Sequence, residues 1–312
     1  MGRELRFLIE EPAIRKFVQF NETIKALSLS ILYFPTYRRV EEDLKNLGKF
    51  RRRSIDPFQE EYYEEYEEDF QVSKDTLIHF GMEDVEQRID SVKELINTST
   101  VDGFTKVSGQ ILSQLLKGFP EIEQSEIDLL DLSTAKIVLH RVGDSLSEPD
   151  RQEILKLLEE PKGLLKKKEL TYFLIKVIEI YNQHKHVDDA IKRFQDICNK
   201  YLEDKEFRYN ESTVAIDIYR KNTTLEVKLN TLSSGEKQII SLFSKIYLEF
   251  SKNYIVLFDE PELSLSMEWQ KLLLPDIVSS EKCKFLLSVT HSPFIFKNEL
   301  DRYAVGMNAY IK

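Results

Sequence analysis

Apolar residues recur at every third or fourth position between Ala13 and Ala26 (Ile14, Phe17, Val18, Ile24), which predicts an amphipathic helix. The run Ser28 to Phe34 is short, apolar and closed by Pro35, as a buried strand should be. Helical periodicity returns over Leu77 to Ile96, Phe104 to Leu116 and Ser147 to Leu158, the last with Ser147 as its cap and Pro149 in its first turn. From Leu170 to Tyr201 the spacing alternates between three and four (Leu170, Phe173, Val177, Ile180, then Val187, Ile191, Phe194, Cys198, Tyr201), with His184 at the one polar step. Such a stripe fits helix packing inside the chain or an intermolecular coiled coil, and both stay open. His184 and His186 lie two residues apart, so they face different sides of a helix and make a poor metal pair.

The last third changes character. Phe207 to Tyr209, Val214 to Tyr219 and Leu225 to Leu229 run or alternate apolar between turn signals and predict a three-stranded meander. Fully apolar runs follow at Tyr254 to Phe258 and Phe285 to Val289, which read as strands buried on both faces. The fold class is therefore α/β with a large helical region.

Composition narrows the function classes. Of the 312 residues 42% are hydrophobic and 31% charged, which excludes a disordered chain. The net charge of -10 argues against a wholly basic nucleic-acid surface, although a local basic patch is left open. Cys198 and Cys283 form no zinc-type spacing. No apolar segment reads as a signal peptide or membrane span, so no membrane role is expected and the expected compartment is the cytoplasm. Between Lys49 and Phe70, Arg51, Arg52 and Arg53 precede seven acids between Glu60 and Asp69, interleaved with Tyr62, Tyr63 and Tyr66. That stretch predicts a solvated loop or, failing that, a docking site for a basic partner.

Three segments carry chemistry. Leu232-Ser233-Ser234-Gly235-Glu236 opens an apolar helical run, so hydroxyls and free backbone N–H groups meet at one helix end, an arrangement that suits a phosphate but also a simple cap. Tyr254 to Phe258 ends in Asp259-Glu260-Pro261, where one carboxylate can hold hydrated Mg²⁺ and the next can orient water. Phe285 to Thr290 ends in His291-Ser292-Pro293, placing a histidine at the end of the next strand, where α/β sheets bind ligands.

Together these segments resemble ABC-type ATPases of the SMC, RecF and overcoming-lysogenization-defect branch. Leu232 to Glu236 is similar to the ABC signature, Tyr254 to Glu260 to Walker B with its catalytic glutamate, Pro261 to Leu265 to the D-loop, and His291 to the switch histidine. The resemblance covers about residues 205 to 312. More loosely, Phe34 to Glu41 and Phe80 to Val85 resemble segments of anti-phage ATPases of the Septu and retron-associated type.

One departure is large: none of the ten glycines begins a Gly-x-x-x-x-Gly-Lys-[Ser/Thr] phosphate loop. The resemblance thus implies a partial P-loop NTPase lobe without its Walker A region, an ATPase only if a Walker A is supplied by upstream sequence or by another chain. Residues 1–27 would be the end of a helical arm, 28–204 a mainly helical lobe with an acidic loop at 56–70, and 205–312 the ATPase lobe. It further implies ATP and Mg²⁺ as ligands and a head-to-tail homodimer closed by ATP. Ser233, Ser234, Gly235 and Glu236 would face the γ-phosphate in trans. Asp259 would hold Mg²⁺, Glu260 would orient the attacking water and His291 would sense the γ-phosphate. A nuclease or toxin module is the implied effector partner, and nucleic-acid binding is left open. A non-hydrolysing regulatory or scaffold subunit is the rival. Only 21 residues follow His291, fewer than the roughly 100 of an appended nuclease domain.

Overall fold

A computed structural model describes residues 22, 26–34, 82–128, 130–159, 161–250 and 252–309. The predicted helix Ala13 to Ala26, the charged stretch Lys49 to Phe70 and the Phe34 to Glu41 segment lie wholly or almost wholly outside them. The chain divides into two compact units, one holding residues 81–250 and the other holding the strand near residue 30 together with residues 251–312.

The second unit contains a parallel sheet of β1 (Leu29–Phe34), β4 (Asn253–Asp259) and β5 (Cys283–Val289), in the order β1-β4-β5. Leu32 and Phe34 pair with Val256 and Phe258, and these four side chains are buried together, with the two phenylalanine rings stacked at 4.7 Å. Helix α8 (Met267–Ser279) packs on β5 and on the short α9 (Pro293–Phe296), burying Leu273 and Ile277 completely. Parallel strands in one sheet with a helix crossing between them are the expected outcome of two apolar runs separated by a helical stretch.

The other unit is mainly helical. Helices α1 (Met82–Lys117), α6 (Lys168–Tyr201) and α7 (Ser234–Leu248) pack on one another, and the hairpin of β2 (Lys205–Asn210) and β3 (Ala215–Arg220) lies on α6. Helices α2 (Gln124–Asp128), α3 (Leu132–Arg141), α4 (Glu148–Glu159) and α5 (Pro161–Leu164) close over the first half of α6, with Leu139, Leu164 and Leu174 in their core. Ser147 caps α4, accepting the Asp150 N–H at 3.3 Å. Arg141 and Asp188 form a buried ion pair at 2.5 Å that also binds the Tyr209 hydroxyl and so pins the hairpin to α6.

The apolar stripe of α6 is thus satisfied inside the chain. It is also broader than a two-helix seam, since Leu174, Ile178 and Tyr181 are buried beside Val177 because neighbours approach from two sides. Two further expectations need correction. The segments ending at Ile96 and starting at Phe104 are one continuous 36-residue helix. Thr100 and Thr105 donate their hydroxyls back to Ile96 and Val101 carbonyls, and Gly103 is a packing position rather than a break, because a Cβ there would lie 2.4 Å from Cγ2 of Ile180. The third meander strand shrinks to one bridge, Tyr219 with Glu226. After Val227 the chain turns into a 3-10 helix at Leu229–Thr231 that delivers Ser233 to the start of α7, so the ladder cannot extend.

Candidate functional site

β4 is the central strand, and its buried residues Tyr254, Val256 and Phe258 hold its carboxyl end firmly. Asp259 is its half-buried last residue. Glu260 follows with φ of 47°, a left-handed conformation that non-glycine residues rarely adopt and that marks sites where the surroundings over-determine the backbone. What fixes it is visible: the Glu260 N–H donates to the Val289 carbonyl at 2.8 Å, tying the ends of β4 and β5 together. Its carboxylate Oε1 then lies 3.9 Å from Nε2 of His291, whose side chain is 86% exposed. The separation exceeds a hydrogen bond, and the histidine is held by its backbone rather than by its ring.

That backbone is held by Glu262. One of its carboxylate oxygens accepts the N–H groups of His291 at 2.8 Å and Ser292 at 3.2 Å, and the other accepts the Thr290 hydroxyl at 2.7 Å. Gln270, from α8, donates to the Leu265 carbonyl at 3.0 Å and accepts the Ser292 hydroxyl at 2.6 Å. Ser292 in turn caps α9 in front of Pro293. The turn after β4 and the loop after β5 are therefore one hydrogen-bonded piece. Sequence reasoning placed Glu262 in a turn without a role; the capping pattern Ser292-Pro293 was the legible signal that the loop is ordered.

The segment Ser233 to Glu236 lies in the helical unit. Ser233 is the N-cap of α7: its hydroxyl accepts the Glu236 N–H at 3.3 Å, while Glu236 accepts the Ser233 N–H at 2.8 Å, a reciprocal capping box. Glu236 is buried and its other oxygen accepts Lys205 at 2.9 Å. Burial works against its ionisation, but the bonds from Lys205 and Ser233 outweigh that and draw its carboxyl below the usual glutamate range. Ser233 and Ser234 are exposed, and Leu232 and Gly235 are buried. The structure thus joins Asp259, Glu260 and His291 at one strand end, and Ser233 to Glu236 at one helix start.

Mg²⁺ carried on a nucleotide needs only one or two protein carboxylates, and the half-buried Asp259 at the strand end fits that demand. Among the described residues no group of three or more His, Cys, Asp or Glu is placed to hold a metal by itself. No helix of the described residues is long and apolar enough to cross a membrane.

Residues 100–297 match the model of the family described as "AAA domain, putative AbiEii toxin, Type IV TA system". That is well over half of the chain. The chain belongs to this AAA-domain family. The matched span includes the α7 start, both strand ends and the loop carrying His291, so the two groups of candidate residues fall inside the AAA domain. No curated protein matches the chain. Among solved structures, a crystal structure of an SMC head bound to the C-winged helix domain of ScpA aligns at 13% identity over 55% of this chain, with a TM-score of 0.27. The AAA-domain chain spans about half of that protein's length, 46%.

Proposed function

We propose that this chain is the signature- and Walker B-bearing part of an ABC-type ATPase that binds and hydrolyses ATP in a head-to-tail dimer. The observation that carries the reading is Glu260: a carboxylate in a left-handed turn at the end of the central strand, anchored to Val289 and 3.9 Å from His291. A base that must orient water next to a phosphate needs that kind of fixed placement. In this reading Asp259 holds Mg²⁺, which when bound neutralises phosphate charge. Glu260 takes the proton of the attacking water, and His291 contacts the γ-phosphate. Ser233 and Ser234 meet the γ-phosphate of ATP held by the other protomer, with Gly235 allowing close approach. Glu236 supports that surface from below, because both its oxygens are engaged within the chain. ATPase chemistry then resides in residues 205–312, and closure on ATP is transmitted through the helical unit to an effector, a nuclease or toxin module. The family description, "putative AbiEii toxin, Type IV TA system", refers to the AAA domain itself and supports a toxin–antitoxin setting rather than a particular partner. A cytoplasmic anti-phage role of the Septu or retron-associated kind belongs to the same reading.

A second reading, a regulatory subunit that contacts nucleotide without turnover, is favoured by one observation: the sequence contains no phosphate loop. ATP hydrolysis separates the two. These 312 residues alone should show no turnover above background, and the longer chain or complex that supplies a phosphate loop should show Mg²⁺-dependent turnover abolished by Glu260→Gln. Absence of turnover in that complex would favour the regulatory reading.

A further inference from the structure

In the helical unit, α1 and the β2–β3 hairpin flank a groove of about 330 Å³, within the roughly 300–1,000 Å³ range of binding clefts. Its floor is apolar: Ile89, Phe207, Ile216 and Ile218 are each no more than 5% exposed. Its rim is acidic. Glu86 and Asp90 stand on α1, Asp217 on β3 and Glu226 in the segment after it, against Lys93 and Lys228. Lys93 already pairs with Asp90 at 4.0 Å, whereas Glu86, Asp217 and Glu226 have no ion-pair partner among the described residues. The groove also holds an unfinished strand edge. The segment after β3 pairs with it only as far as Val227, whose N–H donates to the Ile218 carbonyl at 2.8 Å, while the Arg220 N–H donates to the Leu225 carbonyl at 2.9 Å. Along an antiparallel strand every second residue turns its backbone groups to the same edge, so the N–H and C=O of Ile216 face this edge too. Among the described residues no third strand reaches them, because the chain has turned into the 3-10 helix at Leu229–Thr231.

We propose that this groove binds an extended, basic segment of a partner protein as a third strand beside Ile216. An open sheet edge is matched by the backbone of an extended chain, and neither a helix nor a small molecule offers the same pairing. Successive side chains of a strand point to opposite faces, so apolar residues that reach the floor alternate with Lys or Arg that meet the carboxylates of the rim. Charge complementarity selects the basic class: three rim acids lack a cation, and the net charge of -10 draws a basic partner toward the chain. Val227 to Asn230 form one wall of the groove and lead into the turn that delivers Ser233 to α7. Occupancy therefore steadies the start of α7, and only the effect of this on nucleotide rests on the ATPase reading.

Panning a phage-displayed library of random heptapeptides against the full chain, without nucleotide, tests the proposal. Enriched peptides should alternate apolar residues with Lys or Arg. Glu86→Lys combined with Glu226→Lys changes two exposed residues, so the circular dichroism spectrum and Tm should hold. Binding of a synthetic enriched peptide to that variant should fall by about tenfold or more, since like charges then face each other, and panning against it should yield acidic peptides instead. Methylating the backbone nitrogens of the synthetic peptide at one set of alternate residues should abolish binding, and at the other set should not, because only one edge of a strand pairs with Ile216. No enrichment above the charge-reversed variant, enriched peptides without basic residues or alternation, or equal loss from either methylation set would overturn the proposal. Binding that emerges only after Arg51→Ser, Arg52→Ser and Arg53→Ser are made together would assign the groove to the chain's own basic run and overturn the partner. All these readouts are free of ATP, so they stand or fall independently of whether Glu260→Gln abolishes turnover.

Discussion

The Glu262 carboxylate accepts the backbone N–H of His291 at 2.8 Å, so the turn after the central strand sets where the histidine of the next strand stands. The same carboxylate serves Ser292 and Thr290, which makes it a positioning residue for the whole loop. Glu262→Ala should cost about 1.5–3 kcal/mol, the range for hydrogen bonds to a charged group. It should also speed amide exchange at His291 and Ser292. In the hydrolytic complex it should lower kcat with little change in KM for ATP, because its carboxylate is taken up by Thr290, His291 and Ser292 and acts through that loop. Unchanged exchange at both amides would show that the loop holds its shape without Glu262.

The start of α7 combines a structural cap with a surface that can meet phosphate, and single substitutions separate the two. Ser233→Ala and Glu236→Ala should each cost about 1 kcal/mol through loss of the capping box. Ser234→Ala, at an exposed hydroxyl outside that box, should stay within about 0.5 kcal/mol while reducing ATP-dependent dimer formation. Glu236 has a lowered folded-state pKa, so its contribution is complete above the ordinary glutamate range and is lost as pH falls through the lowered value. Glu236→Gln should therefore flatten the acid limb of the stability curve. Thermal unfolding from neutral to acid pH checks this, and identical acid limbs would contradict it.

Gly103 allows the close approach of α1 and α6 near Ile180. Gly103→Ala should destabilise by about 1–3 kcal/mol as overpacking does, despite the better helix propensity of alanine. Adding Ile180→Ala should recover part of that loss. A stabilised single variant would mean that the helices have room the geometry does not show.

The strands β1, β4 and β5 were legible as unbroken apolar runs, but the expected burial on both faces fails for β5, where Phe285, Leu287 and Val289 are exposed. Ser233 was legible as a cap because its glutamate partner stands three residues on. Asn97 to Gly103 misled, since Asn, Ser, Thr and Gly signal a turn locally. The tertiary contact of Gly103 with α6 and the back-bonded threonine hydroxyls keep that segment helical. Leu225 to Leu229 has strand composition, yet its direction is set by the turn that must reach α7. The role of Glu262 could not be read at all, because a lone acid in a turn acquires its partners only when the sheet brings the end of β5 alongside. The exposure of Phe285 and Leu287 was equally hidden, for an apolar run looks the same whether or not a neighbour covers it.

The most direct test of the account is the oligomeric state of two adjacent variants, measured by size-exclusion chromatography of the complex with ATP and Mg²⁺. Glu260→Gln keeps the metal-holding Asp259 but loses the base, so ATP should remain uncleaved between a phosphate loop and the opposing Ser233 and Ser234, and an ATP-dependent dimer should accumulate. Asp259→Ala should lose metal-dependent closure and stay undimerised. Equal dimer fractions for the two variants would contradict the division of labour between these carboxylates, and with it the proposal that the helix start of one protomer closes on ATP bound by another.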